Sequence, residues 1–454
     1  MDSFVIKYTL RGGLMANPFL PLWEYIPDGE PRVFNERVYI YGSHDRAASE
    51  DFCDFKLKVW SASVDNLNEW VCHGHSFHTR PDKDHPSDTD WTERELYAPD
   101  VVEKDGKYYL YAYILGSKGC VAVSDHPEGP FKLLSQYRIP EDAVEKDLLE
   151  GIFIDPGVLV DDDGKVYIYC GYLRSFMAEI NPENMYEIID GSYKQDIIPV
   201  EEPFEFFEAC SPRKVGDTYY LIYSPKKGSR LVYATSKSPR GPFVYRGVII
   251  DNGKDYPGGN NHGSICKIKD QWYIFYHRMT NDTIMSRRAC VEKIEILEDG
   301  TIPEVEMTSL GFKDSLSPYE ETKAEIACVL KGGCYITEKN ALERLIVNIR
   351  AGAVIGYKYF DFGQDYSKTG MKLFIKVNGC GQKGIIHVKL DREDAEDIGH
   401  GEIGTDDGII EISLPNVTGR HALFFTFETG RTSWIKDSFE DKELCRMISF
   451  TFCK

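Results

Sequence analysis

Asp161-Asp162-Asp163-Gly164-Lys165 followed by Val166-Tyr167-Ile168-Tyr169 reads as a turn feeding a strand, and the chain carries five versions of this unit. The strand is dense in aromatic and β-branched residues, which suit a buried pleated surface, while Asp and Gly suit the turn. The other copies are Val38-Tyr39-Ile40-Tyr41, Tyr108-Tyr109-Leu110-Tyr111, Tyr219-Tyr220-Leu221-Ile222 and Trp272-Tyr273-Ile274-Phe275. Successive copies start 70, 58, 53 and 53 residues apart. Their turns are Phe34-Asn35-Glu36-Arg37, Lys104-Asp105-Gly106-Lys107, Val215-Gly216-Asp217 and Lys269-Asp270-Gln271, all hairpin signals.

An apolar strand precedes each turn: Pro31-Arg32-Val33, Asp100-Val101-Val102, Gly157-Val158-Leu159-Val160, Pro212-Arg213-Lys214-Val215 and Ser264-Ile265-Cys266-Lys267-Ile268. A third strand often follows, as in Val59-Trp60-Ser61-Ala62, Val121-Ala122-Val123-Ser124 and Leu231-Val232-Tyr233-Ala234. Two of these lead into the matched loops Pro127-Glu128-Gly129-Pro130-Phe131 and Pro239-Arg240-Gly241-Pro242-Phe243. Turn, strand and loop recurring together predict an all-β, five-bladed β-propeller with three to four antiparallel strands per blade.

The pattern changes downstream. Residues 296–317 read as a last hairpin and a linker. Short alternating strands follow, such as Lys372-Leu373-Phe374-Ile375-Lys376-Val377, Ile409-Ile410-Glu411-Ile412-Ser413-Leu414 and His421-Ala422-Leu423-Phe424-Phe425-Thr426-Phe427. They predict an antiparallel, jelly-roll-like β-sandwich. The expected organisation is an N-terminal extension over 1–16, the propeller over 17–312 and the sandwich over 313–454.

With 53 Lys and Arg against 73 Asp and Glu, the net charge is −20. Such a surface disfavours nucleic acid and anionic membranes and favours a neutral substrate. No apolar run is long enough to span a bilayer. The opening segment Met1-Asp2-Ser3-Phe4-Val5 onward lacks the basic and apolar regions of a signal peptide, and Met15 is an alternative start. The 12 cysteines include no CxxC pair, and Cys170, Cys266 and Cys290 sit in apolar strand patterns. Reduced thiols and a cytoplasmic location are the expectation.

In a propeller the innermost strands converge, so the residues just before them crowd one end of the central channel. Those positions hold Pro27-Asp28-Gly29-Glu30, Tyr97-Ala98-Pro99-Asp100, Ile154-Asp155-Pro156-Gly157, Phe207-Glu208-Ala209-Cys210 and Asn261-His262-Gly263. One Asp before Pro or Gly is ordinary turn chemistry. Carboxylates at matched positions in blades one, three and four suit glycoside hydrolysis, which needs an ionised base and a protonated acid flanking the scissile bond. A third carboxylate beside the acid raises the acid's pKa by like-charge repulsion.

The stretches Asn17-Pro18-Phe19-Leu20-Pro21, Pro27 to Phe34, Tyr97-Ala98-Pro99-Asp100-Val101, Asp155-Pro156-Gly157, Glu208-Ala209-Cys210-Ser211-Pro212 and Asn260-Asn261-His262-Gly263-Ser264 together resemble glycoside hydrolase family 43 over roughly residues 17–300. The resemblance implies inverting exo-hydrolysis of α-L-arabinofuranosyl linkages, with β-D-xylosyl as a second specificity, in oligosaccharides containing arabinose or xylose. It implies Asp28 as general base, Asp155 as pKa modulator and Glu208 as general acid. Glu30 is a rival to Asp28, because the base motif departs from the family's Ala-Asp-Pro, and Glu205 is a rival to Glu208. His262 reads either as a core histidine or as a channel residue that binds Ca2+ through water, the latter implied by the resemblance. Arg288 matches a family arginine near the substrate, or is a strand charge. Tyr97 either stacks on a sugar or packs. Residues 358–363, Lys389-Leu390-Asp391 and residues 419–425 resemble a family 6 carbohydrate-binding module. The alternatives are a β-xylosidase without arabinofuranosidase activity and a non-catalytic sugar-binding propeller.

Overall fold

A computed structural model describes residues 16–116, 119–138, 153–431 and 436–454. The expected N-terminal extension lies outside them, apart from Ala16. Among the described residues the protein is all-β, with only two short 3-10 turns, Ala324–Ile326 and Lys436–Phe439. Among the described residues no helix is long and apolar enough to cross a membrane.

The first sheet comprises β1 (Glu30–Phe34), β2 (Arg37–Tyr41), β3 (Lys56–Ser63) and β4 (Asn66–His78). The second comprises β5 (Leu96–Lys104), β6 (Lys107–Ile114), β7 (Cys120–Ser124) and β8 (Lys132–Gln136). β9 (Gly157–Val160), β10 (Val166–Cys170), β11 (Phe176–Ile180) and β12 (Lys194–Gln195) form the third. The fourth has β13 (Phe206–Val215), β14 (Thr218–Pro225), β15 (Arg230–Ser236) and β16 (Val244–Asp251). The fifth has β17 (Ser264–Ile268), β18 (Gln271–Thr280) and β19 (Thr283–Ile294). Each is an antiparallel meander, and the aromatic repeat is its second strand.

Each of these strands is buried on both faces, which explains why the repeat reads as continuously apolar rather than alternating. In β2, Val38 and Ile40 pack against Cys266, Tyr273 and Phe275 of the fifth sheet. Their neighbours Tyr39 and Tyr41 point the other way, into Val101, Tyr108 and Leu110 of the second sheet. The second and third sheets share a layer with Tyr111, Val121, Val166 and Ile168. The third and fourth share Tyr167, Tyr169, Leu221 and Tyr223, and the fourth and fifth share Ile222, Tyr233, Ile265 and Ile274. Five apolar layers thus join five sheets in a cycle. A buried phenol needs a hydrogen-bond partner, and the repeat supplies one across each of the first three interfaces. Tyr41 Oη donates to Pro127 O (2.7 Å), Tyr111 Oη to Met185 O (2.8 Å) and Tyr169 Oη to Pro239 O (2.5 Å).

The first strands of the sheets are stitched together by polar side chains. Arg32 on β1 grips Asp100 on β5 through two bonds (3.0 and 2.6 Å) and also donates to Val158 O on β9 (2.9 Å). Arg213 on β13 donates to Glu30 on β1 (2.6 Å) and to Ile265 O on β17 (3.0 Å).

The remaining strands form two stacked antiparallel sheets. One runs in the order Tyr335–Asn340, Glu343–Ile349, Cys445–Cys453, Gly370–Gly379 and Gly408–Pro415, with Thr322–Lys323 beside Cys445–Cys453. The other runs Val329–Lys331, Val354–Asp361, Arg420–Thr429, Gly384–Leu390 and Gly399–Ile403. Alternate residues point inward, and Tyr357 and Phe425 of the second sheet meet Phe450 of the first at 4.9 and 5.3 Å between ring centres. Fully buried Arg278 on β18 fastens this pair of sheets to the preceding five, donating to Ala327 O (2.8 Å), Glu325 O (2.8 Å) and Asn17 O (3.0 Å). All 12 cysteines are free thiols, most of them buried.

The convergence of β9 and β13 leaves no room for a side chain at Gly157. A Cβ there would lie 2.2 Å from Cys210 O and 2.5 Å from Pro212 Cδ, so the strands must part. Gly157→Ala is expected to cost about 1–3 kcal/mol or more of stability. Denaturant unfolding of the two proteins measures this directly; an unchanged midpoint would contradict such close approach.

Candidate active site

Glu30, Asp100, Gly157, Ser211 and Ser264 occupy equivalent places, since they pair with Tyr41, Tyr111, Tyr169, Ile222 and Phe275 of the aromatic repeat. Two residues before them stand Asp28, Ala98, Asp155, Ala209 and His262. The first four have φ of 56°, 31°, 52° and 68°, a left-handed backbone that costs L-residues energy. The same sharp entry into successive strands brings Asp28, Asp155 and His262 to one point. His262 Nδ1 lies 3.8 Å from Asp28 Oδ1 and 3.7 Å from Asp155 Oδ2. All three side chains are buried.

Glu208 comes from one residue earlier in its repeat than Asp28 does. An irregularity in the β13–β14 register between Glu208 and Ser211 re-aims the strand there. The following amide, Ala209 N–H, donates to Asp155 Oδ2 (3.1 Å) and ties the two carboxyl-bearing segments together. Tyr97 holds the corresponding place in the second sheet, where β5 has the same kind of shift between Tyr97 and Asp100. Tyr97 is half-buried, with its ring 6.1 Å from that of Tyr113.

The carboxyl groups sit in opposite electrostatic settings. Burial works to raise the Asp28 pKa, but Arg287, His262 and the Ser43 hydroxyl outweigh it and hold the group below its usual value. Arg287 Nη1 donates to Asp28 Oδ1 (2.9 Å) and Ser43 Oγ to Asp28 Oδ2 (2.6 Å). Glu208 is pushed up by burial and by the Asp28 charge. Asp155 is also pushed up, by burial and then by the Glu208 and Asp28 charges, against the pull of His262. One buried carboxylate therefore keeps its charge, while its two neighbours favour a proton.

Arg287 supplies this cation and also engages Asp45, with Nε and Nη2 at 2.9 and 2.8 Å and its backbone N–H at 3.0 Å. Arg288, the arginine expected near the substrate, is not there. It is buried facing the other way, donating to Leu20 O (3.2 Å) and Pro21 O (3.4 Å), and lines a cavity with Pro18 and Arg344. Side chains alternate along β19, so adjacent arginines must point to opposite faces.

His277 is a further residue absent from the sequence expectation. Asp28 N–H donates to its Nδ1 (3.2 Å), which assigns the ring proton to Nε2, facing Asn260 O (3.1 Å). Burial pushes its pKa down to about 3, so the ring is neutral. The rivals are engaged by other cations. Glu30 is bound by Arg213 and Ser211 Oγ (3.0 Å), and Glu205 pairs with Lys227 (2.7 Å). Tyr172 is 43% exposed, with its ring 5.1 Å from that of Phe207, the neighbour of Glu208. It forms an aromatic ledge that no repeat signal marks.

A depressed carboxylate and a raised carboxyl in one buried cluster can take a proton from water and give one to a leaving oxygen. Known proteins agree with such chemistry. The family model described as "Glycosyl hydrolases family 43" matches residues 16–302. A xylosidase/arabinosidase from Thermoclostridium stercorarium is 38% identical, over 96% of this chain and 98% of that protein. A β-xylosidase/α-arabinofuranosidase structure from a compost microbial metagenome, in complex with xylotriose, superposes with a TM-score of 0.53 at 30% identity, covering 65% of this chain and 98% of that one. An arabinoxylan arabinofuranohydrolase from Bacillus subtilis shares the fold along 99% of both chains, at TM-score 0.55 and 23% identity. With a buried acid–base cluster inside the matched region, the chain belongs to glycosyl hydrolases family 43 and is a glycoside hydrolase.

Proposed function

We propose that the protein is an inverting exo-glycosidase that removes α-L-arabinofuranosyl residues, and β-D-xylosyl residues as a second specificity, from oligosaccharides. The observation that carries this reading is the split setting of Asp28 and Glu208, the first held below its usual pKa by Arg287 and the second raised by burial and the Asp28 charge. Asp28, ionised by Arg287, takes a proton from water as the water oxygen bonds to the anomeric carbon. Glu208 donates its proton to the glycosidic oxygen as the bond from that carbon breaks. Asp155 accepts the Ala209 amide (3.1 Å) and so positions the segment that carries Glu208, while burial and the Asp28 charge favour the proton on Glu208. The relatives' names, xylosidase and arabinosidase, support these two sugars.

The five sheets are read as the blades of a five-bladed propeller over 17–312, supported by their cyclic packing and stitched inner strands. The stacked sheets over 313–454 are read as a sandwich of the family 6 carbohydrate-binding-module type with a structural role. The hairpin at its edge reaches the propeller through Arg344, which donates to Tyr25 Oη (3.3 Å) and Leu22 O, and through Glu338, which pairs with Tyr25. Buried unpaired thiols favour a reducing cytoplasm.

A hydrated calcium ion fits beside His262. Glu30 Oε1 is buried with no hydrogen-bond partner and lies 3.9 Å from His262 Nε2. An oxygen and a nitrogen alone suit a cation that keeps most of its waters. Glu30 and His262 would hold such an ion, which would supply positive charge near the carboxylates.

Initial rates on para-nitrophenyl α-L-arabinofuranoside and para-nitrophenyl β-D-xylopyranoside test the assignment. Asp28→Asn is expected to lose about a thousandfold or more on both, because the water loses its base. Glu208→Gln is expected to hurt unactivated oligosaccharides far more than aryl glycosides, whose leaving groups need little acid; equal losses would sink the acid assignment. Wild-type protein inactive on both aryl substrates would favour a binding protein.

The pH profile of kcat/KM carries the signs of the two shifts. Activity needs ionised Asp28, so it is lost only as pH falls below the ordinary carboxylate range. It needs protonated Glu208, so it is lost as pH rises through a pKa above the ordinary value of a glutamate. A basic limb already falling near pH 4 would contradict the burial of Glu208.

Tyr172, on the Glu208 side, is expected to carry the leaving-group sugar on its exposed ring. Tyr172→Ala should raise KM for oligosaccharides several-fold while leaving the aryl arabinofuranoside little changed; equal effects on both would remove it from substrate recognition.

A further inference from the structure

The end of the first sheet carries three histidines that the proposed reaction does not use. His75 and His78 lie at the end of strand β4, and His85 lies on the loop that follows. Each offers one ring nitrogen, and the three nitrogens lie within 4.8 Å of one another. Among the described residues this is the group of His, Cys, Asp or Glu side chains placed closely enough to hold a metal. The His78 ring is 5.1 Å from that of His75 and 5.0 Å from that of His85.

Local structure explains the meeting. Residues three apart on a regular strand face opposite sides. Here Leu57 pairs with Phe77 but Lys58 with His75, so Ser76 is an extra residue in β4. This bulge turns His75 and His78 to one face. The chain then doubles back: His78 N–H donates to Asp88 Oδ2 (2.8 Å), and Asp88 N–H donates to His78 O (2.8 Å). Within the turn, Asp82 Oδ1 accepts the His85 N–H at 2.9 Å and lies 3.3 Å from His85 Nδ1. A carboxylate behind Nδ1 leaves Nε2 of His85 as the free ligand atom, the usual arrangement behind a metal-bound imidazole.

His78 gives an independent sign. Its side chain is buried, 4% exposed, and its Nε2 has no hydrogen-bond partner. A buried nitrogen left in that state costs free energy unless something binds it. Lys56 and Lys58 oppose a cation here and Asp82 and Asp88 favour one; Lys58 is engaged by Glu24 (2.6 Å).

We propose that His75, His78 and His85 form a zinc site that fastens the 79–95 loop to the edge of the first sheet. Zinc accepts three imidazoles and a water in tetrahedral array. Nitrogens bound to one zinc ion sit roughly 3.4 Å apart, so rotation of the exposed His85 ring supplies most of the closure. The loop continues into β5, which carries Tyr97 and Asp100, so the metal would brace the approach to the catalytic centre.

Untagged full-length protein, stripped by chelator and kept in excess calcium chloride to fill oxygen-rich sites, is titrated calorimetrically with Zn2+. One equivalent is expected to bind per chain. Loss of a group that merely hydrogen-bonds a ligand weakens metal sites about 10–100-fold, so His85→Ala and His75→Ala are each expected to cost at least roughly tenfold. His85 is exposed, so its removal leaves the fold intact. The Co2+ form should show visible d–d bands without the near-ultraviolet band of thiolate ligation, which separates the site from the free cysteines. No zinc uptake, uptake unchanged in both variants, or a thiolate spectrum would overturn the proposal.

Discussion

One buried guanidinium serves two carboxylates, and the chemistry of the centre depends on it. Arg287 is 2% exposed and contacts both Asp28 and Asp45, which are themselves buried. Removing one partner of a buried ion pair costs about 3–5 kcal/mol, because the other charge is left in low dielectric. The geometry therefore cannot relax locally. Asp45, on the loop after β2, fixes the guanidinium, and the guanidinium fixes the charge of Asp28. Burial alone would neutralise Asp28 as it favours neutral Glu208. The difference between them lies in direct contact with one cation.

Getting these groups together requires backbone that the chain would not adopt on its own. Asp28, Asp155 and Ala209 all sit at positive φ at the entrances to inner strands. The cost is met by the layers around them, where every repeat strand is buried on both faces. Gly157 shows the same demand in another form, since its strand passes too close to Cys210 for any side chain. Strain at the centre and tight packing outside it are two consequences of converging the inner strands. The polar ties Arg32–Asp100 and Arg213–Glu30 join the first strands of neighbouring sheets and satisfy buried charges that would otherwise be stranded there.

Much of this was legible in the residues, for a definable reason. The aromatic strands repeat because each lies between two neighbours in the cycle, so local sequence carries global architecture. That Asp28, Asp155 and His262 meet is readable because they stand two residues before equivalent strand positions. Glu208 stands one residue earlier and is readable only when its segment is taken as a whole, while its role belongs to the proposed reaction. Arg287 was missed in favour of Arg288. Which of two adjacent strand residues faces inward depends on register, here Met279 opposite Arg287 and Arg278 opposite Arg288. Register is set by tertiary pairing, and both residues look the same from sequence. His277 and Ser43 were missed for a related cause: a buried histidine and a serine next to a turn have no signature until their partners are placed. The Ser76 bulge that gathers three histidines is equally invisible in composition.

The two buried arginines of β19 then divide the labour of one strand. Arg287 faces the centre and sets the charge of Asp28. Arg288, one residue on, faces the junction with the stacked C-terminal sheets and binds the carbonyls of Leu20 and Pro21. Those residues lead directly into Tyr25, whose carbonyl accepts the Asp45 amide at 2.9 Å. Tyr25 in turn meets Arg344 and Glu338 from the C-terminal sheets. A continuous set of contacts thus runs from the C-terminal sheets, through the 20–25 segment, to the carboxylate that positions Arg287. In the proposed reaction the C-terminal sheets need touch no sugar to matter: by fixing the segment that holds Asp45, they help hold the guanidinium on which an ionised base depends.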